Sequence, residues 1–175
     1  VSKTSAARLP GSIPGIPTIL ISLGFVMELK DEIKLPAKLN YVYDSLNDLE
    51  VLKICIPGCE ELLENEDGSL SAKVVLKIGP IKAKFKGKVV LDLSGAPNKY
   101  ALSGEGDGGV AGFAKGGADV ELSEIDNETI LKYTAKSEVK GKIAQLGSRL
   151  ILSTAKKLSK TFFENFRKHI SEQTH

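Results

Sequence analysis

Any chemistry done by this sequence has to come from a few residues. Gly104-Glu105-Gly106-Asp107-Gly108-Gly109 offers a run of unobstructed backbone of the kind that cradles phosphates. It lacks the Gly-Lys-Ser/Thr ending of a phosphate loop, and a strand pattern follows it where a helix would be needed. The run therefore reads as a flexible turn, a lid over a cavity mouth with Val110 and Phe113 as its apolar tip. Lys82, Lys84, Lys86 and Lys88 alternate and so share one face of a strand. Such a face is either solvated charge that discourages edge pairing or a docking surface for an acidic partner or an anionic membrane. In the second case affinity falls as salt is raised.

Metal, redox and nucleophilic chemistry find little support. Cys55 and Cys59 sit four apart with no second pair to complete a zinc site, and two cysteines make no disulfide framework. Both are expected reduced and partly buried, as in a cytoplasmic protein. His169 and His175 lack a suitably spaced ligand companion, and no serine stands in a nucleophile-elbow pattern. Glu60, Glu61, Asp119 and Glu121 read as surface charge. No catalytic residue, metal site or cofactor is expected. Tyr100 and Tyr133 fall on the inward side of strands, where each hydroxyl either completes a core hydrogen bond or orients the polar head of a ligand.

These residues need a scaffold, and the C-terminal run supplies its axis. Ile143, Leu146, Leu150, Ala155, Leu158, Phe162, Phe166 and Ile170 recur at steps of three to five, the mark of one buried helical face. Arg149, Lys156, Lys157, Lys160, Arg167 and Lys168 occupy the opposite face. The pattern predicts one continuous helix of about 25–30 residues between Lys140 and Gln173, about 40 Å long. Gly147 interrupts it at a cost of about 1 kcal/mol against alanine, which close packing or room for a ligand would explain.

Upstream, the sequence alternates with a period of two. A short strand is expected from Glu28 to Leu35, then two short helices near Ala37–Leu46 and Leu49–Cys55, the second capped by Asn47 or Asp48 and stopped by Ile56-Pro57-Gly58. Strands follow, separated by turns at Glu66-Asp67-Gly68, Gly79-Pro80, Ala96-Pro97-Asn98 and Asp126-Asn127. Ile81, Ala83, Phe85, Gly87, Val89 and Leu91 alternate against the four lysines. About seven strands in hairpin order and one long helix read as α+β, with an antiparallel sheet that must curl around the helix. So curved a sheet encloses more volume than one helix fills, which predicts an apolar cavity.

A chain of 175 residues with 42% hydrophobic residues makes one domain. Its net charge of +2 argues against a nucleic-acid binder. Residues 1–26, broken by Pro10, Pro14 and Pro17, are expected to lie outside the domain as an extension ahead of Met27, the domain occupying 27–175. The apolar run from Thr18 to Met27 is too short to span a bilayer; Ile16, Ile19, Leu20, Leu23 and Phe25 would instead fill an apolar groove.

Several motifs recur in order: Ile56-Pro57-Gly58-Cys59-Glu60, Lys77-Ile78-Gly79-Pro80-Ile81-Lys82, Phe85-Lys86-Gly87-Lys88, Leu102-Ser103-Gly104-Glu105-Gly106, Gly112-Phe113-Ala114-Lys115-Gly116 and the stretch from Lys142 to Leu150. Together they resemble the carbon monoxide dehydrogenase CoxG family, in the START/polyketide-cyclase-like (SRPBCC) superfamily, from Met27 to about Ile170. The resemblance implies a helix-grip fold: a curved antiparallel sheet wrapped around a long C-terminal helix, with two short helices closing one end. It implies an accessory protein to a molybdenum hydroxylase such as carbon monoxide dehydrogenase, implicated in bringing that enzyme to the membrane, and a cavity for lipids or other hydrophobic molecules. The combined expectation is a non-catalytic, cytoplasmic carrier or adaptor, peripheral at the inner face of the membrane, for a quinone or isoprenoid lipid. Phe85, Tyr100, Leu102, Phe113, Leu131, Tyr133, Leu146 and Leu150 are the expected lining. Two rivals stand beside it: a cyclase or hydrolase on the same fold, which needs ionisable side chains converging in the cavity, and an interaction scaffold with a filled core.

Overall fold

The computed structural model describes residues 24–173. The groove-filling reading of Ile16, Ile19, Leu20 and Leu23 lies outside the described residues. Strand β1 (Phe25–Leu35) opens the fold, and its first pair is Phe25 with Val139, so sheet pairing begins ahead of Met27. Helices α1 (Leu39–Leu46) and α2 (Leu49–Cys55) follow. The carboxylate of Asp48 caps α2 by accepting from the amides of Glu50 (2.9 Å) and Val51 (3.4 Å), which satisfies donors that the first turn leaves open.

Six strands come next: β2 (Cys59–Glu64), β3 (Leu70–Ile78), β4 (Ile81–Asp92), β5 (Lys99–Asp107), β6 (Phe113–Ile125) and β7 (Glu128–Lys140). Each pairs antiparallel with the next, and β1 closes on β7, giving one seven-stranded sheet in the order β1-β7-β6-β5-β4-β3-β2. The sheet bends where it carries no side chains. Gly104 lies across from Gly116, and a Cβ on Gly116 would come 2.1 Å from the Lys136 carbonyl oxygen. Only glycine admits that approach.

Helix α3 (Ser148–Gln173) crosses the concave face and has 26 residues, about 39 Å. It starts later than the periodicity implies. Gly147, at φ 95° and ψ 150°, breaks the helical ladder, and Lys142–Leu146 winds as a separate 3-10 turn. Ile143 and Leu146 are therefore not on the helix. Their spacing of three fits a 3-10 turn as well as an α-helix, which is why apolar periodicity alone merges the two segments.

The core divides in two. One cluster gathers Leu35, Val42, Cys55, Leu122 and Leu131 around Phe166 and Ile170, both fully buried near the C-terminal end of α3. The other holds Ile78, Phe85, Ala111, Val139 and Ile143 around Ile151 at its N-terminal end. Between these grips Ala155, Leu158, Ser159 and Phe162 are only half-buried. Truncating the stronger grip should be costly: Phe166→Ala is expected to lower stability by about 3–5 kcal/mol, read as a reduced midpoint in urea unfolding at unchanged slope.

Candidate functional site

The half-buried middle of α3 roofs a cavity of about 850 Å³. Its walls come from alternate positions of six strands. Leu29, Leu131 and Ala135 stand on β1 and β7, Ala118 and Val120 on β6, Tyr100 and Leu102 on β5, Val89 and Leu91 on β4, and Leu70 and Ala72 on β3. Ser159, Phe162 and Phe163 face them from α3, and Leu49 and Leu52 of α2 with Ile56 close one side. Polar groups gather where the cavity reaches solvent: Asn47, Ser69 and the exposed Glu64 and Asp67. A mostly apolar hollow of this size with a few placed polar groups is the usual form of a small-molecule site.

The expected lining divides into two sets. Tyr100, Leu102, Leu131 and Tyr133 are on the cavity wall. Phe85, Phe113, Leu146 and Leu150 are elsewhere. Phe85 and Leu146 belong to the second cluster, Phe85 ring atoms lying 2.6–3.0 Å from where a Cβ on Gly108 would stand. Leu150 packs beside Gly79. Phe113 lies across from Asp107, which lies across from Lys86, so register puts it on the solvent face. Nor is there a glycine lid. Residues 104–107 are the paired end of β5, and Val110, 94% exposed, tops a 3-10 turn (Gly109–Ala111) anchored in the second cluster by Ala111. The inward alternation on β3, β4 and β6 carried the signal for Ala72, Val89, Leu91, Ala118 and Val120. Phe163 fell off the apolar stripe assigned to the helix, although it sits four residues beyond Ser159 on the face that the cavity sees.

Tyr100 is the unusual polar group of this wall. It is 8% exposed, its ring meets Tyr43 edge-on at 5.8 Å, and its hydroxyl makes no hydrogen bond among the described residues. Burial first, and Tyr43 second, push its pKa up to about 12. A buried hydroxyl without a partner costs about 1–3 kcal/mol, so a ligand oxygen or a water would be held there. Tyr133, by contrast, is satisfied: its hydroxyl shares a hydrogen bond with that of Ser159 at 2.5 Å and its ring stacks on Phe163.

The remaining candidates show no reactive pairing. Burial pushes the Cys55 and Cys59 thiols up, leaving them protonated and unreactive at neutral pH. Hydrogen bonds from the Ser69 side chain and amide hold Asp67 below the usual carboxylate range, so it offers no proton. Among the described residues no group of His, Cys, Asp and Glu could hold a metal ion, and no helix is long and apolar enough to cross a membrane. The four lysines of β4 stand on the convex face. Lys84 pairs with Glu60 at 2.8 Å and Lys88 with Asp67 at 3.8 Å, whereas Lys82 and Lys86 lie across from Lys77 and Lys73.

A family model for the carbon monoxide dehydrogenase subunit CoxG matches residues 32–171. A conserved protein from Geobacillus kaustophilus is 30% identical over 83% of this chain and 96% of its own, with a TM-score of 0.79. The Zhui aromatase/cyclase from Streptomyces sp. R1128 has a TM-score of 0.65 at 11% identity, covering 86% of this chain and 97% of that one. A START superfamily protein from Mycobacterium smegmatis has a TM-score of 0.64 at 15% identity, covering 83% and 98% respectively. These last two establish the START-like helix-grip fold. No curated protein shows significant sequence similarity to the chain.

The state of Tyr100 has a consequence in alkali. An unfolded tyrosine ionises near pH 10, whereas folded Tyr100 keeps its proton to about pH 12. The folded form thus binds more protons in that window, and stability falls as pH rises through it. Comparing unfolding free energies of wild type and Tyr100→Phe from pH 9 to 12 isolates this group. Wild type should lose on the order of 2 kcal/mol more than the variant.

Proposed function

This chain belongs to the carbon monoxide dehydrogenase CoxG family, and from that premise we propose that it is a non-catalytic carrier for an apolar ligand of the quinone or isoprenoid-lipid class. It would serve a molybdenum hydroxylase such as carbon monoxide dehydrogenase at the inner face of the membrane. The observation that carries the reading is the cavity of about 850 Å³ under the middle of α3, walled by Leu, Val, Ala and Phe side chains. Taking an apolar ligand out of water there contributes roughly 25 cal/mol per Å² of buried apolar surface, before ordering costs are subtracted. Tyr100 adds one donor for one neutral oxygen, which suits a carbonyl or hydroxyl and gives orientation without charge.

The hydroxylase and membrane parts of this reading rest on the family, not on the cavity. The convex lysine face offers Lys82 and Lys86, which are without ion pairs among the described residues, as the groups to meet an acidic partner or anionic lipid. Such a contact would weaken with added salt.

An enzyme is the second reading, because solved proteins of this fold include an aromatase/cyclase. The cavity wall here argues for the carrier: its acids, Glu64 and Asp67, stand exposed at one edge, and its interior hydroxyls belong to Tyr100, Tyr133 and Ser159. Filling the hollow tests the carrier. Ala135 lies between Leu29 and Ala118 on the wall, so Ala135→Trp should occupy ligand space while leaving the fold intact. Mass spectrometry of organic extracts from protein purified from its native host should find an apolar compound in near-stoichiometric amount with wild type and at least tenfold less with the variant, roughly 1.4 kcal/mol or more in binding. An equal yield from a folded variant would place the ligand elsewhere.

A further inference from the structure

The main cavity has a neighbour. A pocket of about 520 Å³ lies between β1 and α3, and Leu29, Tyr133, Ser159 and Phe163 line both. The partition between the two is therefore a single layer of side chains: the Tyr133 ring stacked on Phe163 at 5.6 Å, its hydroxyl bonded to Ser159. On the main-cavity side the wall is apolar. On the other side stand Lys30, Asp31, Lys156, Lys160, Glu164 and Arg167.

We propose that the β1–α3 pocket is a polar subsite that receives the negatively charged, oxygen-bearing head of an amphipathic ligand while its apolar chain lies in the main cavity. The proposal deepens the carrier reading and rests on it.

Charge supports this direction. Lys160 is paired with Glu164 at 3.9 Å and Lys30 with Glu28 at 3.4 Å, and the Asp31 carboxylate accepts the Glu32 amide at 2.8 Å. Lys156 and Arg167 have no carboxylate within ion-pairing distance among the described residues. Arg167 uses one guanidinium nitrogen on the Lys34 carbonyl oxygen at 2.8 Å, which orients it and leaves its other donors open. The main cavity offers an anion nothing comparable. No Lys, Arg or His lines it among the described residues, Tyr100 is a neutral donor, and Glu64 and Asp67 at its other edge repel negative charge. A carboxylate or phosphate head confined there would be desolvated without a counter-charge. Ordinary exposed cations on a helix would share the charge but not the common wall with an apolar cavity.

Dodecanoate and dodecan-1-ol carry equal chains and differ in the head, so they separate the subsite from the carrier. At low ionic strength, calorimetric titration of wild type should show dodecanoate binding about tenfold tighter than the alcohol, the increment of a hydrogen bond to a charged group. Lys156→Gln with Arg167→Gln should erase that preference and leave alcohol affinity unchanged, and Lys156→Gln alone should reduce it. Equal binding of the two ligands by wild type, or a preference that survives in the folded double variant, would overturn the subsite while leaving the carrier standing. Binding of neither would overturn the carrier and the subsite with it.

Discussion

Helix α3 is held at its ends and not in its middle, and the rest of the molecule follows from that. Phe166 and Ile170 are sunk in one core cluster and Ile151 in another. Each cluster draws on different strands and on a different short element: α1 and α2 at one end, the two 3-10 turns at the other. Burial at two separated points orients a rod of about 39 Å without asking the sheet to touch it along its length. The sheet can then bow away from the helix between the grips. Glycines at the fold line, Gly104 across from Gly116 among them, make the bow sterically possible.

A hollow of this kind is tolerated, not favoured. Atoms lining an empty apolar cavity forgo dispersion contacts on one side, and the Tyr100 hydroxyl forgoes a hydrogen bond. The two clusters supply the stability that lets the interior stay open, and a ligand that fills it would return some of what is lost, stabilising the fold by mass action. Stability and binding are thus assigned to different residues of the same helix. Ile151, Phe166 and Ile170 hold it, whereas Ser159, Phe162 and Phe163 face the cavity.

Much of the architecture was legible in the sequence, because it depends on local patterns. Alternation in β4 against four lysines, the Asp48 cap and the turn residues after Glu64 each act over a few positions, and each appears in the fold where the pattern puts it. The cavity was legible as a consequence of a curled sheet on one helix. Its lining was legible in part, since alternation separates inward from outward but does not say which inward residues meet the helix and which meet the hollow. Phe85 and Val89 share a face of β4, yet one is packed in a cluster and the other lines the cavity. That difference depends on where α3 begins. Gly147, read as a defect within a helix, is its boundary, and the shift carries Leu146 out of the site.

The central claim is an apolar space between two grips, and pressurising crystals of the protein with xenon tests it most directly, since dry apolar cavities bind xenon. Density for xenon should appear among Leu29, Leu102, Ala135 and Phe162 beneath the middle of α3, with the two clusters undisturbed. An interior without xenon, with those side chains in mutual contact across the space, would contradict it.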